Sequence, residues 1–369
     1  MKLFFSKINC FLKFLWKTHR ESGKSFVFLF VDFVRLKKKI GVSIDEYYNF
    51  EFEKLGKEFR ESFLSGVEQR PCLDLLNPKK YYAIARNKYF SHLFLEARGV
   101  KTSELYCYYN PEGSLQYGNT AYDYNSVVKV LKEKQVQSCV IKSTETSYGN
   151  GVVVVDTIEY LNNVCVLHCF DGSVVELVSL LKYEPLIFES VVKQTKQIRN
   201  FNDSSVNTIR FMTTLYPSGE ARIIATFIKI GRYGRCVDNA GKGGNVDAAV
   251  DVKTGKIYNT IQFNGYRNIK TITHHPDTGN LIEGVIIENW ERIKEDVERF
   301  QRSMPFLKAI GWDIAITDDG PIVIEMNDYW DRTGQLFLRR GWKKEIQECY
   351  AQWRKLEGEG KVSYKMGRR

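Results

Sequence analysis

The stretch G-W-D-I-A-I-T-D-D-G-P-I-V-I-E-M-N, residues 311–327, constrains the fold more than any other part of the chain. Asp313 opens an apolar strand pattern, Asp318-Asp319-Gly320-Pro321 reads as a turn, and Glu325 and Asn327 close a second strand. The pattern predicts an antiparallel hairpin. Glu325 and Asn327 share a face, because side chains alternate along a strand. For Asp313 to reach that face, the strands must pair through an odd-length loop or a bulge in the turn. Two carboxylates and an amide among Ile, Ala and Val offer the hard oxygen ligands that a magnesium ion takes beside nucleotide phosphates. A surface hairpin with solvated acids is the other reading of the same residues.

A chain of 369 residues holds two or three packed units. Its 43% hydrophobic and 14% aromatic content is that of a globular protein. The net charge of +10 suits nucleic acid, an anionic membrane or acidic substrates. There is no arginine-rich arm, zinc-finger spacing or RNP-like motif, which argues against nucleic acid. Eight cysteines without a C-x-x-C pair, several inside apolar strand patterns, point to a reducing compartment and hence the cytoplasm. At the N-terminus, lysines interrupt the apolar run and no small-residue cleavage site follows, against a signal peptide. The run 26–34 is too short to span a bilayer. The basic and aromatic residues of the N-terminal region, with Lys7, Lys13, Lys17, Arg20, Arg35, Lys37, Lys38 and Lys39, suit either an amphipathic helix packed on the body or a peripheral contact at the inner membrane face.

Residues 1–75 read as mostly helical and basic, with Pro71 and Asn77-Pro78 marking a boundary. A helix is expected over 81–97, closed by Gly99. Strands are expected at 105–109, 138–142, 151–155 and 185–189. Helices are expected at 124–134, capped by Asp123, and at 174–182. Residues 208–216 and 221–230 predict a hairpin around Pro217-Ser218-Gly219-Glu220. A glycine-rich loop over 238–244, a helix over 286–300, a closing helix over 335–356 and a frayed basic tail complete the reading. The order lacks a regular βαβ period, which argues for α+β lobes around antiparallel sheets.

Three further segments carry chemistry. Lys142 ends a strand before a loop containing Gly149 and Gly151, a combination that can hold phosphate through charge and backbone N–H groups. It is not a P-loop, because the G-x-x-x-x-G-K-[ST] order is absent and the loop leads into a strand. Glu189 ends the strand L-I-F-E. Backbone groups of 190–192 could pair with an adenine edge while Glu189 accepts from its amino group, or the strand simply ends in an acid. Arg210 and Lys229 each lie on a strand face with apolar neighbours. A lysine there is costly unless paired, and an anionic ligand is one such pair; a snorkelling side chain is the alternative. V-D-N-A-G-K-G-G, residues 237–244, adds backbone N–H groups and Lys242.

Taken together, the chain resembles the ATP-grasp superfamily, and most of all its sugar-transfer-associated family. The resemblance is carried by S-V-N-T-I-R, V-D-N-A-G-K-G-G, V-D-V-K-T-G, H-P-D-T-G and G-W-D-I-A…G-P-I-V-I-E-M-N, over roughly residues 80–335. Asp45-Glu46-Tyr47-Tyr48 is similar to a family segment upstream. The likeness implies an α+β ATP-grasp fold of two lobes clasping ATP. The units would be a helical basic region 1–78, an N-terminal lobe 79–190, a C-terminal lobe 191–335 and a closing helix with tail 336–369. It implies Mg2+ on Asp313, Glu325 and Asn327, as in D-alanine–D-alanine ligase. ATP would lie on Lys88, Lys142, Ser147, Gly149, Gly151, Glu189, Val191 and Asn239. Arg210, Lys229 and Lys242 would stand near the transferred group. His275 is either a substrate contact or a turn residue, and Trp330 and Asp331 would line the acceptor side. Two departures stand out. Glu145 occupies a loop position where relatives more often have glycine, and no arginine lies two residues before Asp313, so Arg210 would take that work. Gln194 and Asp203 are candidates for the ribose.

The implied activity is that of an ADP-forming carboxylate–amine ligase. A carboxylate would be activated as an acylphosphate and passed to an amine, in the making or modification of a surface polysaccharide such as a capsule. A sugar or lipid kinase, or a non-catalytic ATP-binding module, are the other outcomes open to such a site.

Overall fold

Among the described residues, apolar strands build two seven-stranded sheets, preceded by a helical region. The computed structural model describes residues 2–145, 151–162, 164–235 and 244–359. The leading helices are α1 (Lys2–Ser22), α2 (Phe26–Ile40), α3 (Ile44–Asn49), α4 (Lys57–Ser62) and α5 (Gly66–Leu76). Ser25, Ser43 and Ser65 cap α2, α3 and α5 with side-chain oxygens that accept orphan backbone N–H bonds. Phe33, Tyr47, Phe50, Phe52, Phe59 and Phe63 give this region an aromatic core of its own.

Arg267 ties the helical region to the body. It is 7% exposed, donates to Glu53 at 2.9 Å and to the Tyr48 carbonyl at 3.0 Å, and pairs with Glu21 at 2.5 Å. Glu53 is fully buried. Arg267→Met leaves that carboxylate without its counter-ion, so a loss of about 3 kcal/mol is expected in urea melts. Unchanged stability would show that the contact does not join the two parts.

Two short helices follow, α6 (Tyr82–Arg86) and α7 (Lys88–Glu96). The first sheet then comprises β1 (Leu105–Tyr109), β2 (Thr120–Ala121), β3 (Cys139–Ser143), β4 (Val153–Leu161), β5 (Val164–Cys169), β6 (Val174–Glu176) and β7 (Leu186–Glu189). Its order is β2-β1-β7-β3-β4-β5-β6, and only β1 and β2 pair parallel. Helices α8 (Tyr124–Glu133) and α9 (Leu177–Leu180) complete this lobe. Cys107, Cys139, Cys165 and Cys169 lie in its core as small apolar groups.

The second sheet follows α10 (Lys196–Phe201). It comprises β8 (Thr208–Leu215), β9 (Ala221–Ile230), β10 (Val246–Val250), β11 (Ile257–Phe263) and β12 (Ile269–Thr271). After α11 (Trp290–Ser303) come β13 (Ala309–Thr317) and β14 (Gly320–Asn327). The order β12-β11-β10-β9-β8-β13-β14 is antiparallel throughout. Helices α12 (Gly334–Leu338) and α13 (Lys343–Gly358) close the described chain. One face of the sheet, with Ile209, Phe211, Trp312 and Ile314, packs on α11 together with Ala85 and Leu95 of α6 and α7. The other face, with Met212, Ala225 and Phe227, packs on α5, α12 and α13.

Several expectations need correction. The helix expected over 81–97 is broken at Asn87, whose extended backbone and side chain cap a new helix. The helix expected over 174–182 is a three-residue strand followed by a single helical turn, because Val174–Glu176 pairs with β5. The closing helix is split between α12 and α13, where Arg339 adopts a left-handed conformation. Strands β2, β5, β10, β11 and β12 were not expected at all.

The acidic hairpin meets its structural demand inside the strand and not in the turn. Thr317 pairs with Gly320, leaving a two-residue loop of Asp318 and Asp319. The pairing then runs regularly to Ile314 opposite Val323, skips Ile324, and resumes with Asp313 opposite Glu325. The extra residue is a β-bulge. Without it Asp313 would face Ile324, and Glu325 would point to the opposite side of the sheet.

Candidate active site

The residues singled out on the second sheet converge on one face. Asp313 on β13 lies between Glu325 on β14 and Arg210 on β8, each its direct cross-strand partner. Arg210 grips it with two parallel bonds, Nε to Oδ1 at 2.6 Å and Nη2 to Oδ2 at 2.8 Å. Lys229 on β9 approaches the same carboxylate at 3.0 Å. Burial raises the Asp313 carboxyl pKa, but the two cations outweigh burial and hold it below the usual range. The lysine read as costly on an apolar face is thus paired with an acid of the neighbouring hairpin. Asp247, fully buried on β10, stands opposite Lys229 and extends the charged row. Sequence reading missed it, although V-D-A-A-V carries the same signal as Asp313, an acid within an apolar strand.

Glu325 and Asn327 lie further towards the sheet edge and are half-buried. The Asn327 amide N–H donates to the Gly311 carbonyl at 3.4 Å, which leaves the amide oxygen as the end that can act as a ligand. Two carboxylates on one face and an amide oxygen two residues along fit a hard divalent cation. Among the described residues no group of three or more His, Cys, Asp or Glu side chains could hold a metal ion, so the amide is needed to complete a set here.

The first lobe brings its own charges. The Lys88 backbone N–H, left free by the break at Asn87, donates to the Thr144 carbonyl at 2.9 Å and so fixes the start of α7 beside the end of β3. Burial lowers the Lys88 pKa. Glu325 and Glu189 oppose this and Lys142 adds to it, so Lys88 lies within electrostatic reach of all three. Lys142 and Glu189 meet directly at 2.7 Å, both largely buried. A phosphate role for one and an adenine role for the other therefore start from an ion pair. The Ser190 backbone N–H donates to Glu104, and Val191 is partly exposed. Glu145 accepts a 3.3 Å bond from the Asn87 side chain, linking the loop after β3 to the cap of α7. Gly151 takes a left-handed conformation with open space around it. Ser147, Gly149, Asn239 and Lys242 lie outside the described residues.

Other candidates serve structure. Gln194 uses both ends of its amide on the Asn207 backbone, at 2.6 and 2.7 Å, which takes it away from a ribose. Asn207 in turn bonds Ile198, Asn202 and Gly231. His275 is a buried turn residue whose Nε2 meets the Gly231 carbonyl at 2.9 Å. Trp330 is fully buried against Trp342 and so lines no open acceptor side, whereas Asp331 is exposed and accepts from the Thr333 backbone N–H. The V-K-T-G turn is held by Asp251, and its Gly255 must lack a Cβ, which would stand 2.6 Å from Trp290. Asp328, just past the hairpin, is gripped by Arg86 at 3.0 and 2.8 Å, which holds α6 against β14.

Two α+β lobes, with a charged row on one sheet and the Lys142–Glu189 pair on the other, make an ATP-grasp architecture. The chain belongs to the sugar-transfer associated ATP-grasp family, whose model matches residues 71–350. That match also takes in most of α5 and half of α13, helices packed on the same sheet face as the charged row. Comparison with curated proteins finds no match. Among solved structures the chain is similar to a biotin carboxylase from Campylobacter jejuni, at 9% identity and TM-score 0.42, covering 74% of this chain and 48% of that one. It is also similar to D-alanine–D-alanine ligase from Bacillus anthracis complexed with ATP, at 12% identity and TM-score 0.39, covering 75% and 69%. A third is N5-carboxyaminoimidazole ribonucleotide synthetase from Thermotoga maritima, at 12% identity and TM-score 0.41, covering 75% and 52%. The chain thus spans about half the length of the biotin carboxylase, and likenesses this distant add no argument to the family match.

Proposed function

We propose that this protein is an ATP-dependent ligase that activates a carboxylate as an acylphosphate and transfers the acyl group to an amine. The observation that carries the reading is the row Glu325–Asp313–Arg210–Lys229 on one sheet face, with Lys88 within electrostatic reach of Glu325 and of the Lys142–Glu189 pair. A carboxylate oxygen of the substrate attacks the γ-phosphorus, and the bond to the β-phosphate oxygen breaks to release ADP. The amine nitrogen then attacks the acyl carbon, phosphate leaves, and the nitrogen gives up a proton. Little covalent chemistry falls to the protein, so positioning and neutralisation of charge do most of the work. Lys88 and Lys142 neutralise the phosphates. Arg210 and Lys229, held in place by Asp313, face the group in transfer. A magnesium ion held by Asp313, Glu325 and the Asn327 amide oxygen would supply further charge neutralisation at the phosphates.

Membership of a sugar-transfer associated family supports a glycan precursor as the acid, such as a uronic acid. The test supplies uronic acids and amines with Mg-ATP and follows ADP and product mass. An amide with ADP supports the ligase. A stable phosphorylated sugar or lipid would make the protein a kinase, and no ADP across a broad acceptor screen would make it a binding module.

The lowered Lys88 pKa sets a pH dependence. Raising pH deprotonates this lysine earlier than an exposed one, and a neutral amine no longer attracts phosphate. ATP affinity is therefore expected to fall on the alkaline side, and Lys88→Arg to flatten that limb. Titration calorimetry across the pH range checks it; an alkaline limb unchanged in Lys88→Arg would remove Lys88 from the site.

A further inference from the structure

The N-terminal helix pair carries a surface that the ligase chemistry does not use. Helices α1 and α2 are joined by Gly23, Lys24 and Ser25, and Phe11 meets Phe30 and Phe33 across the pair at 5.9 and 5.1 Å. Leu15, Leu29, Phe33, Leu36 and Ile40 face inward and are buried. The outward side is also apolar. Trp16 is 53% exposed, Val27 72% and Val31 58%, with Leu12, Phe28 and Phe30 exposed beside them. Leu12 and Trp16, and likewise Val27 and Val31, stand four residues apart, one above the other on their helices. Scattered exposed apolar residues are ordinary, but six on two paired helices form a patch.

Charge decides what covers it. Residues 9–40 hold eight lysines and arginines against two acids, Glu21 and Asp32. Both acids already have partners: Glu21 pairs with Arg267 and accepts from Tyr48, and Asp32 pairs with Arg60 and accepts from Tyr47. The outward side is left apolar and basic. Arg20 lies over the Trp16 ring at 4.8 Å and Lys24 over the Phe28 ring at 5.2 Å, so cations border the aromatic patch. Lys13, Arg35 and Lys38 add exposed positive charge. Among the described residues no helix is long and apolar enough to cross a membrane. Aromatic and aliphatic side chains bordered by cations are the combination that enters the interface of an anionic bilayer, the apolar groups reaching the acyl boundary and the cations meeting headgroups.

We propose that the α1–α2 pair docks this protein on an anionic lipid surface. The assignment does not depend on the ligase reading. The test floats the full chain with vesicles of phosphatidylcholine alone and of phosphatidylcholine mixed with phosphatidylglycerol. Binding is expected only to the anionic vesicles, weakened by salt. Lys13→Glu with Arg20→Glu should reduce it by roughly fivefold or more for each cation removed. Trp16→Ser with Val31→Ser should abolish it with circular dichroism and melting unchanged, since both side chains are exposed. Failure to float with anionic vesicles, equal binding to phosphatidylcholine alone, or binding that survives both double variants would overturn the proposal. So would a concentration-dependent dimer that Trp16→Ser with Val31→Ser dissolves, because a second copy would then cover the patch.

Discussion

Glu325→Ala is expected to lower ADP formation by at least about a hundredfold while leaving the fold intact, in line with the loss of a key electrostatic group at a reacting centre. Glu325 is half-buried at an edge strand, and its neighbour Asp313 is already satisfied by Arg210 and Lys229. Removing the side chain leaves Glu189 as the remaining acid that opposes the burial of Lys88. The loss should fall on turnover and on the metal dependence of ATP binding, with the denaturation midpoint little moved. Steady-state ADP release and a urea melt on the same preparation separate the two effects. Wild-type turnover in this variant would refute its assignment as a metal ligand.

Asp313→Ala is expected to behave differently, destabilising the fold by about 3–5 kcal/mol as well as silencing the site. The variant leaves Arg210 and Lys229, 15% and 7% exposed, without their shared counter-ion. Replacing the buried charges together, with Arg210→Met, Lys229→Met and Asp247→Asn added, should recover much of that stability, because a whole buried ion cluster can be exchanged for uncharged packing at little cost. Activity would stay absent. A single variant as stable as the wild type would mean that the cluster contributes nothing to the fold.

Much of this was legible in the chain. Asp313, Glu325 and Asn327 could be placed on one hairpin because acids within Ile and Val strands are conspicuous. The antiparallel α+β character followed from the order of elements. What could not be read was local. The bulge at Ile324 leaves no mark in composition, since one aliphatic residue replaces none. The break at Asn87 lies inside a sound helical pattern and depends on a carbonyl from Thr144, far along the chain. The partner of Lys229 could be stated only as an anion, because pairing across β9, β8 and β13 joins segments about eighty residues apart. Motifs shared with the family also divided unexpectedly. Those ending at Arg210 and Asn327 reach the charged face, whereas Asn207, Gly255 and His275 shape turns and strand ends.

A crystal structure of the full chain with Mg2+ and a non-hydrolysable ATP analogue tests the central claim most directly. The account predicts phosphates between Lys88 and Lys142 on one side and the Asp313–Glu325 face on the other, with the metal touching Glu325. A nucleotide bound away from that face, or a metal held without Glu325, would contradict it.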